Sequence, residues 1–464
     1  MSIQLLIIVL YLIMTVVIGL YAKKRATSAN SFHGSGLGVL LCVAAGTGEW
    51  LGGTSTTGVS EYGFVFGLSS SWYTLANGIG VIILALFFAK LYRRQGMITV
   101  PGIIERFIGV KARVLASILL TFVMIAVGTA QLVAAGTLGV AVLGLDYQLA
   151  VIIMGIGFII YTLAGGMRAV GYTNMIHLVA MYGGIILALL FSFKEIGDFT
   201  VLRSALPVNP FFRMSGIGFT KVASWIIASI LGACTAQAGI QPLLAAKDGN
   251  VAKKAALITA FLVAPFGILT AILGMVARVK FPTLVNPKLA LPILMMDLHP
   301  VVGGIVLASI MAAILSTVSP IILASGTMLT QDIYRRMFRP TASDREILVI
   351  ARLTTGLAGI LCMVLAIFLY EGTKILDMIY FAYTLRGSLF VVLLFGIYWQ
   401  KTTQRGSVWA MLLTALVGFI WVTFKAQTGF YPIHPLFSET YAAVITALLS
   451  TFILSYLLPD KKGE

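Results

Sequence analysis

The chain has 464 residues, of which 59% are hydrophobic and 10% are charged, and its mean hydropathy is +1.01. A soluble domain carries about 25% charged residues, so this chain has too few to cover a water-facing surface. The composition excludes a soluble globular enzyme, a disordered chain and a disulfide-framed scaffold, and it indicates a polytopic membrane protein. The formal net charge is +16. In a membrane protein such an excess is typical of cytoplasmic loops, so we expect lipid and no nucleic acid as a partner.

Apolar segments of about 20 residues, the length at which a helix crosses ~30 Å of hydrocarbon, lie between charged or Pro/Gly-rich breaks. They predict an all-α protein with about thirteen transmembrane helices, because helices satisfy their backbone groups internally in lipid. The predicted spans are 3–22, 37–60, 66–90, 114–140, 148–166, 173–193, 222–245, 255–279, 300–328, 348–369, 375–399, 406–424 and 440–459.

The distribution of basic residues predicts the orientation in a plasma membrane. No basic residue precedes the first span, and Lys23, Lys24 and Arg25 follow it. Because Lys and Arg gather on the cytoplasmic side, we predict an outside N-terminus and, after an odd number of spans, a cytoplasmic C-terminus. The same alternation places these residues on the cytoplasmic side: Lys90, Arg93, Arg94, Lys247, Lys253, Lys254, Arg335, Arg336, Arg339, Lys401, Arg405, Lys461 and Lys462.

Two predicted spans are interrupted by small and polar residues, at 43–58 (VAAGTGEWLGGTSTTG) and at 232–239 (GACTAQAG). Interrupted helices at matching places in two halves are typical of inverted-repeat transporters, whose binding sites lie at the breaks. We therefore expect one transmembrane domain over 1–464, with two inverted five-helix repeats whose first and sixth core helices are discontinuous. Its predicted parts are a peripheral helix at 3–22, repeats at 37–193 and 222–399, and peripheral helices at 406–459.

Glu49 lies inside the first interruption. Glycines alone commonly serve close helix packing. A carboxylate near the bilayer centre costs at least ~3 kcal/mol, however, so Glu49 marks this interruption as a functional position.

Four motifs along the chain resemble those of the sodium/solute symporter family, whose members include sodium-coupled proline, pantothenate, sugar and sialic acid carriers. The resemblance covers nearly the whole chain, and the motifs stand in the family's order and at the predicted depths. They are 165–174 (GGMRAVGYTN), 241–248 (QPLLAAKD), 312–319 (AAILSTVS) followed by 330–334 (TQDIY), and 396–401 (GIYWQK) followed by Gly406.

The resemblance implies alternating access and one sodium ion held between the broken first core helix and the eighth. Neutral oxygens suit such a hard cation, and Ala313, Ser316 and Thr317 share one helix face. Spacing alone is more typical of hydroxyls that bond back to their own helix, and the resemblance reverses that preference. Carried over position by position, the implied ligands are the backbone carbonyls of Thr47, Trp50 and Ala313 and the hydroxyls of Ser316 and Thr317.

Two departures from the family pattern bear on the number of ions. Family members with a second sodium have Thr-Asp and consecutive serines, where this chain has Thr173-Asn174 and Ser319-Pro320. The missing formal charge and hydroxyl lead us to expect one sodium per transport cycle.

The resemblance places the solute beside the sodium ion. Tyr73 and Asn77 share a helix face, although that spacing also suits interhelical packing. The candidate solute ligands are Glu49, Thr54, Tyr73, Asn77, Gln237 and Arg386.

Arg386 lies about halfway along a predicted span. A buried guanidinium needs a partner, and its planar fork suits a carboxylate. Glu49, Asp377 and an anionic solute compete for it. We therefore expect the solute to be a small organic acid or amino acid, and a structural pair between Arg386 and Glu49 is the alternative.

The chain offers no Gly-x-Ser-x-Gly, HExxH or P-loop motif, so we do not expect an enzyme. A proton-coupled carrier of the same architecture remains open, because an intramembrane carboxylate such as Glu49 can relay protons. The identity of the solute and the oligomeric state are not predicted.

Overall fold

The computed structural model describes residues 2–23 and 36–460, without the side chains of residues 19–23 and 164–170. Four basic residues used in the orientation prediction, Lys24, Arg25, Lys461 and Lys462, lie outside the described residues. Within the described ranges every regular element is a helix, and one isolated bridge joins Leu37 to Ala246.

The α-helices are numbered in chain order. They are interspersed with π-helical turns at Thr54–Gly58, Leu84–Phe88 and Leu329–Phe338 and with 3-10 turns at Gly67–Ser71 and Pro287–Leu289. The α-helices are α1 (Ile3–Lys23), α2 (Val39–Trp50), α3 (Val59–Phe66), α4 (Trp72–Ile83), α5 (Ala89–Arg94), α6 (Val100–Phe107), α7 (Val110–Leu143), α8 (Tyr147–Ile196), α9 (Phe199–Ala205), α10 (Val208–Phe211), α11 (Phe219–Ala233), α12 (Gln237–Leu244), α13 (Gly249–Val263), α14 (Phe266–Lys280), α15 (Ala290–Asp297), α16 (Pro300–Met328), α17 (Asp344–Leu369), α18 (Ile375–Tyr398), α19 (Gln404–Thr428) and α20 (Glu439–Leu457).

In the described part of the chain, ten helices are long and apolar enough to cross a membrane, and three shorter apolar helices accompany them. The predicted all-α polytopic architecture is confirmed, whereas the count of thirteen spans and the repeat boundaries remain predictions. The main difference from the predicted spans is that helical backbone continues from Tyr147 to Ile196, across two of them.

The first interruption lies at Leu51 and Gly52, between α2 and the turn that leads into α3. Leu51 leaves the helical conformation, with φ −107° and ψ 73°. The hydroxyls of Ser55 and Thr56 donate to the carbonyl of Gly52 at 2.8 and 3.1 Å. The backbone N–H groups of the same two residues also bond this carbonyl, each at 3.1 Å, so it is satisfied within the protein, as a site at membrane depth requires.

The second interruption lies at Cys234–Ala236, between α11 and α12. The hydroxyl of Thr235 donates to the carbonyl of Arg386 at 2.5 Å, and the hydroxyl of Tyr92 donates to the carbonyl of Cys234 at 3.0 Å. Both interruptions therefore fall inside the stretches that the sequence predicted, and at the second one the Tyr92 hydroxyl binds a freed carbonyl.

The two broken helices pair at both ends. The backbone N–H of Leu37, just before α2, bonds the carbonyl of Ala245, just after α12, at 2.9 Å. At the other end, the rings of Tyr62 on α3 and Trp225 on α11 lie 5.4 Å apart. The first broken helix begins where the second one ends, so the two run in opposite directions, as an inverted repeat requires.

Basic side chains gather at the end where Leu37 meets Ala245. Arg93 Nε donates to the carbonyl of Ala246 at 2.6 Å, and the Cα of Lys90 lies near Gly249. We call this face, which carries Lys90 and Arg93, the basic end. The positive-inside rule predicts that it faces the cytoplasm.

Candidate functional site

The end of α2 meets the middle of α16 in the protein interior. The hydroxyls of Ser316 and Thr317 donate to the carbonyl of Gly48 at 3.1 and 2.5 Å. Ser316 Oγ also lies 2.8 Å from the carbonyl of Ala313. Three of the predicted sodium ligands thus lie beside the predicted helix break, although 268 residues separate Gly48 from Ser316.

Gly48 is needed for this contact. A Cβ at this position would lie 2.3 Å from Nδ2 of Asn174 and 3.1 Å from Cβ of Ser316. The glycine allows close approach rather than breaking the helix, which continues to Trp50. The Gly48 carbonyl was not among the predicted ligands, because glycines that break helices and glycines that pack them look alike in a sequence.

The other two predicted ligands border the same place. The carbonyl of Thr47 accepts the backbone N–H of Leu51 at 3.0 Å, so a helical hydrogen bond occupies it. The Trp50 ring lies 5.2 Å from Cζ of Arg386. The Trp50 side chain therefore contacts a predicted solute ligand, and its carbonyl stays a predicted sodium ligand.

The predicted solute ligands Thr54 and Tyr73 belong to a chain of buried hydrogen bonds. Gln131 Nε2 donates to Thr54 Oγ1 at 3.2 Å, Thr54 Oγ1 lies 2.9 Å from the Tyr73 hydroxyl, and that hydroxyl lies 3.1 Å from the hydroxyl of Tyr383. Asn77 is fully buried beside Tyr383. Sequence reasoning missed Gln131 and Tyr383, although Gln131 is a polar residue inside an apolar span and Tyr383 precedes Arg386 by one helical turn.

Arg386 is fully buried, with 0% of its surface exposed. Its Cζ lies 3.6 Å from the ring centre of Tyr383, and none of its three side-chain nitrogens has a hydrogen-bond partner among the described residues. Asp377, one of the candidate partners, instead pairs with Lys221 at 3.1 Å. A buried charge is costly unless it is paired, so this guanidinium favours an external anion.

Glu49 lies in the last turn of α2, just before the first interruption, and is only 5% exposed. Its Oε2 has no hydrogen-bond partner in the part of the chain described, and it abuts Gly239 in the first turn of α12. The N-terminal end of that helix favours a negative charge. Because Glu49 makes no hydrogen bond to Arg386, the predicted structural pair does not form in this conformation.

Gln237, another predicted solute ligand, bonds the backbone of a different helix. Its Oε1 accepts the backbone N–H of Val100, at the start of α6, at 2.7 Å. Its Nε2 is buried and has no partner among the described groups. The side chain therefore ties the second broken helix to the short helix α6.

An ionic cluster forms around Asp332 near the basic end. The hydroxyls of Thr99 and Ser117 donate to its carboxylate at 2.8 and 3.0 Å, and Arg113 Nη2 lies 2.5 Å from it. Arg113 also pairs with Glu105 on α6. The cluster joins α6 and α7 to the π-helical turn that follows α16.

Arg113→Gln is expected to lower stability by about 3 kcal/mol, because breaking a buried ion pair leaves its partner uncompensated. The Asp332 carboxylate is 0% exposed and the Arg113 side chain only 15%. A melting temperature lower by on the order of 5 °C is expected for the purified protein. The matched control is Arg336→Gln, because Arg336 is 47% exposed and its pair with Glu105 is worth less than about 1 kcal/mol. Equal melting temperatures for the two variants would contradict this assignment.

The opposite end contains a cavity of about 480 Å³ whose lining includes Glu61, Lys288, Tyr370 and Lys374. Lys288 Nζ donates to the carbonyl of Tyr370. Burial lowers the pKa of Lys288, while the nearby Glu61 carboxylate acts in the opposite direction. The cavity thus carries charged side chains of both signs.

Comparison with known proteins places this geometry in a family. The sequence profile of the sodium:solute symporter family matches residues 32–414. The osmoregulated proline transporter OpuE of Bacillus subtilis (strain 168) is 28% identical and aligns with 97% of this chain and 96% of its own. The human sodium/myo-inositol cotransporter 2 is 27% identical and aligns with 89% of this chain and 69% of its own.

Solved structures show the same fold. A Na+-coupled sialic acid symporter in a substrate-bound outward-open state has a TM-score of 0.83 at 18% identity, covering 99% of this chain and 98% of its own. A nucleobase-cation-symport-1 family transporter has a TM-score of 0.60 at 12% identity, covering 94% and 96%. These folds contain two inverted repeats, as predicted from the paired interruptions, and the predicted family is confirmed. The chain belongs to the sodium:solute symporter family.

Proposed function

We propose that this chain is a secondary active symporter that couples inward sodium movement to the uptake of a small organic acid or amino acid. The observation that carries the proposal is the convergence of the Ser316 and Thr317 hydroxyls on the Gly48 carbonyl. These groups are hard neutral oxygens of the kind that sodium prefers. They come from one helix of each repeat, with repeats proposed at 37–193 and 222–399.

The ion would bind where the two repeats touch. In the sodium-bound form, the hydroxyls of Ser316 and Thr317 direct lone pairs to the ion, and the carbonyls of Thr47, Trp50 and Ala313 complete the proposed set. An ion bridging α2 and α16 stabilises only those arrangements in which the two helices are close. Sodium therefore biases the alternating-access equilibrium through its differential affinity for the two states.

One sodium ion per cycle is proposed. Asn174 Nδ2 donates to the carbonyl of Ser316 at 3.2 Å, which places an N–H group where a cation would be repelled. Ser319 Oγ accepts from the hydroxyl of Thr162 at 3.1 Å, and Pro320 follows it. Neither position offers the carboxylate or the second serine of members with two ions.

The solute would bind between the two interruptions. A carboxylate on Arg386 would satisfy the unpartnered guanidinium, and an ammonium near Glu49 would satisfy the opposite charge if the solute is an amino acid. Thr54, Tyr73, Asn77 and Gln237 would supply the neutral hydrogen bonds. The relatives named as proline transporters support an amino acid within this class.

The direction of access follows from the two ends of the molecule. The cavity near Lys288 lies at one end of the molecule, and the Asp332 cluster would close the basic end. With the basic end in the cytoplasm and the N-terminus outside, as the positive-inside rule predicts, a solute would enter from outside the plasma membrane. Breaking the cluster would then release it inside.

A proton-coupled carrier is the second candidate, because Glu49 Oε2 is buried without a partner and could relay protons. Purified protein in proteoliposomes separates the two. The probes are radiolabelled L-proline, lactate and succinate, each driven by a sodium gradient alone or by a pH gradient alone. We expect accumulation of at least one probe under the sodium gradient and background uptake under the pH gradient. Accumulation under the pH gradient that is indifferent to sodium would establish the alternative.

A further inference from the structure

Gln131, in the middle of α7, has a side-chain oxygen without a hydrogen-bond partner in the described part of the chain. The residue is 1% exposed. Its Nε2 donates to Thr54, whereas its Oε1 is buried with no hydrogen-bond partner among the described residues. Leaving a buried acceptor unsatisfied costs about 1–3 kcal/mol. A bound ligand would therefore remove the free-energy cost of leaving Gln131 Oε1 without a hydrogen bond among the described residues.

The oxygen points to the sodium side of the first interruption. A Cβ on Gly52 would lie 2.6 Å from Gln131 Oε1 and 2.4 Å from Thr317 Oγ1. Because both distances start from one point, the two oxygens are no more than about 5 Å apart. Only the absence of a side chain at Gly52 leaves the space between them open. Gln131 Oε1 thus faces the same small volume as a proposed sodium ligand.

We propose that Gln131 Oε1 is a further ligand of the sodium ion, contributed by a third helix beside α2 and α16. The inference rests on the proposed function, because it extends the proposed ion site. An amide oxygen is a hard, neutral donor of the kind that sodium shares with carbonyls and hydroxyls. Sodium would satisfy the polar atom of Gln131 that has no partner among the residues described.

The same side chain links the ion to the solute ligands. A primary amide is planar, so an ion on Oε1 fixes the direction of the Nε2 donor. That donor holds Thr54, which bonds Tyr73 and, through it, Tyr383 beneath Arg386. Sodium binding therefore orders the solute ligands through Gln131, as outer partners orient the ligands of other metal sites.

The experiment is a sodium titration of purified protein, with choline keeping the ionic strength constant and the melting temperature as the readout. A ligand that binds only the folded state raises its stability, so the titration measures half-saturating sodium without a transported solute. The variants are Gln131→Leu, which lacks both amide groups, and Gln131→Glu, which keeps an oxygen. The matched control is Thr137→Val on the same helix. Thr137 is fully buried, and its hydroxyl donates to the carbonyl of Ala134 in the same helix at 2.8 Å.

We expect Gln131→Leu to raise half-saturating sodium at least about 10-fold, the loss expected for one contact to a charged partner. Gln131→Glu should stay within about 3-fold of the parent, and Thr137→Val should not change it. The Glu variant keeps the test decisive if the Leu variant does not fold, because a loss of the sodium response despite the retained oxygen overturns the assignment.

Two further outcomes separate this inference from the proposed function. If Gln131→Leu leaves half-saturating sodium unchanged while Thr317→Val raises it, Gln131 is only an interhelical contact and the inference is overturned. If neither variant changes the response, the proposed sodium site itself is wrong.

Discussion

The double variant Ser316→Ala/Thr317→Val is expected to reduce sodium-stimulated uptake at least about 100-fold. It removes two of the hard oxygens that converge on Gly48, and each contact to a charged partner is worth about 1.5–3 kcal/mol. The measurement is the initial rate of uptake into proteoliposomes, with whichever probe the gradient experiment identifies. Raising the sodium concentration should restore part of the rate, because the defect lies in ion affinity.

The matched control for this variant is Thr327→Val on the same helix. Thr327 is buried, and its hydroxyl bonds the carbonyl of Leu323 in its own helix at 2.8 Å. Losing that bond should change uptake by less than about 2-fold, because back-bonded hydroxyls contribute little to a helix. Uptake by the double variant at half the parent rate or more, with unchanged sodium dependence, would refute the assignment.

Arg386→Gln is expected to weaken solute binding at least about 100-fold, because removing one partner of a buried charge pair costs about 3–5 kcal/mol. Its effect on the solute-free protein should be small or even stabilising. Among the described residues the guanidinium has no hydrogen-bond partner, so the substitution leaves no hydrogen-bonded carboxylate newly unpaired. The apparent KM for uptake and the melting temperature without solute measure these two effects.

Arg386→Lys provides the graded comparison. It keeps the charge but loses the planar fork, so an intermediate loss of affinity is expected. A structural role for Arg386 predicts the opposite pattern: unchanged KM with lower protein abundance and a lower melting temperature. That result would support the alternative, in which Arg386 forms a structural pair with Glu49.

The architecture could be predicted because its signals are local. A run of about 20 apolar residues identifies a span, and small polar residues within a span identify a break. Both breaks were found where expected, at Leu51–Gly52 and at Cys234–Ala236. The helical backbone that crosses two predicted spans between Tyr147 and Ile196 shows the limit of such signals, because hydropathy does not determine where a helix ends.

The site was less predictable because its contacts join distant parts of the chain. Which carbonyl of α2 faces α16 depends on how the two helices are rotated, so the contact of the Gly48 carbonyl was not predicted, and Thr47 stays a predicted sodium ligand. Gln131 lies 77 residues from Thr54, and Tyr73 lies 310 residues from Tyr383. Only the fold reveals that these polar side chains form one hydrogen-bonded chain.

Gln237 is a second case in which a contact with a distant part of the chain could not be predicted. Its place at the second interruption predicted a solute ligand, and the structure shows its oxygen bound to the N–H of Val100 instead. The remaining Nε2 group keeps the proposed solute role open. No pattern in the sequence could indicate that the Gln237 amide, at the start of α12, would bond the backbone at the start of α6.

Equilibrium binding of radioactive sodium to the purified protein tests the central claim most directly. The account predicts saturable binding of one ion per chain, unaffected by excess potassium and abolished in the Ser316→Ala/Thr317→Val variant. Absence of saturable binding, or binding that survives in that variant, would contradict it.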